Sequence, residues 1–224
     1  MIVFDRLTKS YPLRNGGRIT IIENFSGVVP KGLNIGILGR NGAGKSTMMR
    51  LIAGSERPSS GAIYRDGRIS WPLGFGGGLN VALTGRQNMK FIADLYNVDH
   101  ESIVDFVEDF SQIGRFMDEP MRNYSAGMRA RLSFGVCMAL EFDYYLIDEV
   151  IAVGDASFRE KCQAVLDERR QTTSVLLVSH SSRLLRQFCD IGGVLSNGTL
   201  TFYDTLEEAI DMHDYNLKTA SIGT

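Results

Sequence analysis

The stretch Gly39-Arg40-Asn41-Gly42-Ala43-Gly44-Lys45-Ser46-Thr47 sets glycines, an ammonium and two hydroxyls at the spacing G-x-x-x-x-G-K-[ST]. Gly39, Gly42 and Gly44 allow the backbone to wrap a polyphosphate closely and turn successive N–H groups inward. A helix starting near Lys45 adds its unpaired N–H groups and the positive end of its dipole. In such a loop Lys45 contacts the β- and γ-phosphates, and Ser46 ligates the Mg²⁺ that bridges them. The competing explanation is a glycine-rich turn with an incidental lysine. The flanks favour the nucleotide: the apolar run Leu33 to Leu38 comes before and Met48 to Ala53 after, giving strand, loop and helix.

Four other places carry groups that such a site can use. The apolar strand that starts at Phe142 ends in Asp148-Glu149. Two acids at a strand end also suit a solvated turn, but beside a phosphate loop a second strand ending in Asp is what a Mg²⁺ site requires. His180 follows the buried strand Ser174 to Val178. A single histidine is more often structural than catalytic, and its place at a strand end beside the phosphate loop weighs toward function. Tyr11 borders the turn-rich segment 12–17, where it either packs or stacks on a base. Ser125 is placed to cap a helix whose first turn holds Gly127, and a glycine there lowers helix stability, which points to a close approach.

The elements that must position these groups are legible as patterns. Ile2 to Phe4 and Ile19 to Phe25 read as strands, and Ala62 to Arg65 with Arg68 to Trp71 read as a hairpin across Asp66-Gly67. These strands suggest a small antiparallel sheet beside a mainly parallel one. Trp71 to Asn80 holds four glycines and reads as a mobile or closely approached loop, and Trp71 either packs in the core or stacks on a sugar. Thr84-Gly85-Arg86-Gln87 forms a capping box for a helix whose apolar face includes Phe91, Ile92 and Leu95. A second helix spans about Glu101 to Ile113, and both aromatic stripes are read as core. Further on come a helix over Phe158 to Arg170, a hairpin across Asn197-Gly198, and a last helix capped by Thr205 whose polar end frays from about Asp214.

A chain of 224 residues with 44% hydrophobic content suffices for one α/β domain with subdomains. A net charge of −2 leaves no basic surplus for nucleic acid or an acidic membrane. Cys137, Cys162 and Cys189 are odd in number and widely spaced, against a disulfide framework or a zinc site and in keeping with a reducing cytosol. No run of about 18 apolar residues is present, and charges at Asp5 and Arg6 interrupt any signal-like start, so a soluble, unsecreted chain is expected.

Together these motifs resemble those of an ABC-transporter nucleotide-binding subunit along nearly the whole chain. Tyr11 resembles the adenine-stacking aromatic, Gly39 to Thr47 the Walker A loop, Tyr124 to Met128 the family signature, Asp148 and Glu149 the Walker B end with its catalytic acid, Gly154-Asp155 the following dimer-contact loop, and His180 the switch histidine. The runs Ser70-Trp71-Pro72, Leu83 to Arg86, Tyr124 to Arg129 and Asp148 to Asp155 are similar to those of capsular-polysaccharide exporters; O-antigen exporters are also similar.

The resemblance implies a P-loop ATPase fold with a mainly parallel sheet, an antiparallel β subdomain and an α-helical subdomain over about 84–140, all within 1–213, followed by a polar tail at 214–224. It implies ATP and Mg²⁺ as cofactors, with Glu149 and His180 catalytic and Ser46 and Asp148 at the metal. Tyr11, Gly39, Asn41, Gly42, Ala43, Gly44, Lys45, Ser46, Thr47, Ser125 and Gly127 would bind nucleotide. It further implies a head-to-tail homodimer with ATP at its interface, integral membrane permease subunits, a lipid-linked polysaccharide as cargo, and a peripheral place on the cytoplasmic face of the inner membrane. An O-antigen or teichoic-acid type exporter, a soluble ABC-type ATPase and a plain P-loop kinase are the alternatives. Two departures from the family pattern stand out: Ala126 and Met128 replace usual signature residues, and the loop at 71–80 lacks the usual Gln.

Overall fold

The computed structural model describes residues 1–73, 78–148 and 155–222. In chain order the elements are β1 (Ile2–Pro12), β2 (Arg18–Val29), β3 (Ile35–Leu38), α1 (Lys45–Ala53), β4 (Ser60–Arg65), α2 (Gly85–Tyr96), α3 (His100–Ser111) and α4 (Ala126–Met138). There follow β5 (Tyr144–Asp148), α5 (Ala156–Arg169), β6 (Ser174–Val178), α6 (Ser182–Phe188), β7 (Ile191–Ser196), β8 (Thr199–Tyr203) and α7 (Leu206–Ile222). Two compact units result: Met1–Pro72 with Phe142–Glu149 and Arg170–Thr224, and Leu73–Glu141 with Val150–Arg169.

The first unit is built on a five-stranded sheet in the order β5-β6-β3-β7-β8, parallel except for β8. Every residue of β3 and β6 is buried, as expected of parallel strands covered on both faces. Asn197 (φ 48°) and Gly198 (φ 80°) close the β7–β8 hairpin, both in the left-handed region that a tight two-residue hairpin turn needs. A second sheet, β2-β1-β4, is antiparallel. Ile2, Phe4, Ile22, Ile35, Met48 and Leu176 belong to the core that joins both sheets to α1.

One expected element differs. The hairpin across Asp66-Gly67 does not form: β4 pairs with β1, whereas the chain after Gly67 is drawn to the start of β5. Asp143 Oδ2 accepts from Arg68 N at 2.8 Å, and Ser70 N donates to Tyr144 O at 2.9 Å. A turn signal is local, and here long-range pairing to a central sheet outweighs it. Asp214 to Ile222, expected as part of a polar tail, lie within α7.

The second unit is helical. Thr84 Oγ1 accepts from Gln87 N at 3.1 Å while Gln87 Oε1 accepts from Thr84 N at 2.9 Å, completing the capping box of α2. Phe110 of α3 stacks on Phe134 of α4 at 5.6 Å and meets Phe158 of α5 edge-on at 5.3 Å. Ile92 is buried, but Phe91 and Leu95 are 53% and 64% exposed, which corrects their expected place in the core. Helical spacing identifies an apolar stripe, not how much of its width a neighbour covers.

Cys137 and Cys162 are buried and Cys189 half-buried, all as free thiols. Burial pushes the Cys162 and Cys189 thiols up to about 12, so neither is a ready nucleophile. Among the described residues no helix is long and apolar enough to cross a membrane.

Candidate functional site

The loop between β3 and α1 owes its shape to its glycines. Gly42 (φ 81°) and Gly44 (φ 102°) both take left-handed conformations, and a Cβ at Gly44 would also overlap Ile21 Cγ2. Gly44 is the N-cap of α1 without any side-chain cap, so the first N–H groups of the helix face the loop. That is the arrangement that binds anions.

A cavity of about 330 Å³ opens over this helix start, lined by Ile21, Asn41, Gly42, Gly44 to Thr47, Asp148, Val178 and His180. Lys45 is buried, its ammonium donating to the carbonyls of Gly39 at 2.7 Å and Arg40 at 3.1 Å. Ser46 Oγ donates to Asp148 Oδ2 at 2.9 Å across 102 positions of sequence, joining the end of β5 to the phosphate loop. A hydroxyl and a carboxylate side by side are hard oxygen donors suited to Mg²⁺. Gly39 and Ala43 belong to the same loop, where Ala43 N donates to Arg40 O at 3.0 Å.

His180 reaches the cavity from the segment after β6, where Ser181 N donates to Ser179 Oγ at 3.0 Å and Ser181 caps α6. A second cavity of about 210 Å³ is lined by Gly39, Arg40, Asn41 and His180 together with His213 and Leu217 of α7. Burial lowers the His213 pKa. Helix α7 thus lines the phosphate loop, a role the sequence did not reveal because polar residues around His213 mask the contact.

Tyr11 comes to the first turn of α1. Its hydroxyl lies 3.4 Å from Thr47 Oγ1 and donates to Glu56 Oε1. Glu56, Lys9 and Arg50, which surround it, were not singled out from sequence. Arg50 and Glu56 follow the phosphate loop closely in sequence, but Lys9 stands 30 positions before Gly39.

Ser125 and Gly127 stand in the second unit. Ser125 Oγ accepts from Met128 N at 3.2 Å and caps α4, leaving the serine itself exposed. Among the described residues outside its own helix backbone, a Cβ at Gly127 would first meet Ser125 Oγ at 3.9 Å, an ordinary contact. In the adjoining segment Asp155 accepts from Phe158 N at 2.9 Å and from Arg131 at 2.5 Å. Trp71, offered either a core place or a sugar, meets Phe142 edge-on at 5.7 Å. Glu149, Gly154 and the glycines at 74, 76 and 77 lie outside the described residues.

Residues 22–152 match the family model described as ABC transporter. The chain is 48% identical over 213 residues to the polysialic acid transport ATP-binding protein KpsT of Escherichia coli, covering 94% of this chain and 97% of that one. It is 46% identical over 214 residues to the capsule polysaccharide export ATP-binding protein CtrD of Neisseria meningitidis serogroup B, covering 96% and 99%. Its fold is like that of the ATP-binding cassette MJ0796 in a dimeric post-hydrolysis state bound to ADP and Pi, with a TM-score of 0.78, 20% identity, and coverage of 92% and 99%.

Proposed function

The chain belongs to the ABC transporter family, and we propose that it is the ATP-hydrolysing subunit of an exporter for a capsular or related cell-surface polysaccharide. The observation that carries the ATPase half is the Ser46–Asp148 contact, a metal-suited oxygen pair at the mouth of a glycine cradle. What KpsT and CtrD are named for supports the cargo, over nearly the full length of each chain.

In this proposal Lys45 leaves the carbonyls of Gly39 and Arg40 for the β- and γ-phosphates, while the loop N–H groups hold the same oxygens. Mg²⁺ held by Ser46 and Asp148 would supply positive charge against the transferring phosphoryl group. Glu149 polarises the attacking water and His180 contacts the γ-phosphate. Tyr11 stacks on the base. Ser125 and Gly127 offer a capped helix start to the γ-phosphate of a second copy, so that two ATP molecules join a homodimer. The dimer works with integral membrane permease subunits, as a peripheral protein on the cytoplasmic face of the inner membrane, on a lipid-linked polymer.

The test pairs two assays of Lys45→Ala. The purified parent releases phosphate from Mg-ATP and the variant does not, and cells relying on the variant make the polymer without displaying it. Normal surface display would remove the export half of the proposal. Undiminished phosphate release would remove the ATPase half.

A further inference from the structure

Three side chains from two elements, Lys9 and Tyr11 of β1 and Arg50 of α1, converge on one carboxylate. Glu56 Oε1 accepts from the Tyr11 hydroxyl and from Lys9 Nζ at 2.7 Å, and Oε2 accepts from Arg50 Nε at 2.9 Å. Arg50 Nη2 also donates to Thr47 Oγ1 at 3.2 Å, the oxygen that stands 3.4 Å from the Tyr11 hydroxyl. The Lys9 ammonium lies 4.8 Å from the Tyr11 ring centroid, within cation–π range. Glu56 is only 17% exposed. Burial opposes its ionisation, but hydrogen bonds from Lys9, Tyr11 and Arg50 outweigh that and hold the carboxyl down at about 2.

Fastening these segments does not rest on this carboxylate alone. Beside it, Lys9 Nζ donates to Arg57 O at 2.8 Å, Ser10 N to Ser59 Oγ at 3.0 Å, and Ser59 N to Thr8 O at 2.8 Å. Those bonds already fasten β1 to the chain after α1. What Glu56 adds is a fixed direction for the Tyr11 hydroxyl, and with it a fixed ring.

We propose that Glu56 is a positioning residue that holds the Tyr11 ring ready to stack on a nucleobase and ties that ring, through Thr47, to the helix that follows the phosphate loop. The inference rests on the ATP-binding function proposed above and adds what holds the base platform. A ring already in place gives up no rotamer freedom when the base arrives, so the tether shows in affinity and not in the chemical step.

The experiment is calorimetric titration of the full chain with Mg-ATP and, separately, with inorganic tripolyphosphate, which has no base to stack. Glu56→Ala weakens ATP binding by about five- to tenfold, the size of one ordinary net hydrogen bond, and leaves tripolyphosphate binding as in the parent. KM for ATP rises by a similar factor while kcat holds. Tyr11→Phe, which removes one oxygen and keeps the ring, reproduces the loss, and the double variant is no weaker than either single. Equal losses for both ligands, additive losses, or no loss in Tyr11→Phe would overturn the proposal. Should Glu56→Ala fail to fold, Tyr11→Phe alone decides. A parent that binds neither ligand would overturn the ATP-binding function and this inference with it, whereas a parent that binds ATP beside unaffected variants overturns the inference alone.

Discussion

Gly44 and Gly127 each stand at the start of a helix two positions from a serine, yet packing among the described residues explains only one of them. At Gly44 the backbone is left-handed and a Cβ would collide with Ile21, so the chain's own packing demands glycine. At Gly127 the first neighbour of a Cβ among the described residues, its own helix backbone aside, is 3.9 Å away, and the backbone is helical. Helix stability there would favour alanine. Packing within the described residues thus accounts for the phosphate-loop glycine, whereas the glycine at the Ser125 helix start fits the proposal of a contact from a second copy. A γ-phosphate presented by a second copy has the chemistry that a capped, positively polarised helix start accepts.

Variants can break this contrast or sharpen it. The largest effect is expected for Glu149→Gln, which removes the proposed water-polarising acid: ATP turnover falls by about 10²–10⁴-fold while ATP binding persists, measured by phosphate release and titration. Gly44→Ala comes next. It forces a side chain into a left-handed position against Ile21 and costs about 1–3 kcal/mol of folding stability, read from urea unfolding. Gly127→Ala does the reverse, leaving stability equal or better by about 0.5 kcal/mol while phosphate release falls. A Gly127→Ala chain with full turnover would erase the contrast.

The last effect appears only in acid. The Ser125 helix start is held by a neutral cap, whereas the phosphate-loop side is tied by the Glu56 carboxylate. That group is depressed from 4.5 to about 2 in the folded chain. Its stabilisation is thus fully present above pH 4.5 and lost as pH falls through about 2. The urea midpoint of the parent should fall more steeply over that window than that of Glu56→Gln.

Much of the molecule was legible because its signals are local. The strand–loop–helix context of the phosphate loop, the Thr84–Gln87 box, the Ser125 cap and the Asn197-Gly198 turn each act within a few residues, and all take their expected form. Where distant groups decide, the sequence was silent. Asp143 captures Arg68 across 75 positions and undoes a hairpin that Asp66-Gly67 suggests. Phe91 and Leu95 share the stripe of Ile92 without sharing its burial. Glu56 gained its place only when Lys9 and Arg50 folded against it, and nothing in the spacing of 9, 50 and 56 reports that.

The central claim, a nucleotide pocket shared between two copies, is tested most directly by mixing two crippled chains in a Glu149→Gln background. One carries Lys45→Ala and the other Gly127→Trp, and sedimentation with Mg-ATP follows the dimer. Neither chain alone should form an ATP-dependent dimer, while their mixture should, because a mixed pair retains one sound cradle facing one sound Ser125 helix. A mixture that stays monomeric where the Glu149→Gln parent dimerises, or a Gly127→Trp chain that dimerises fully by itself, would contradict the account.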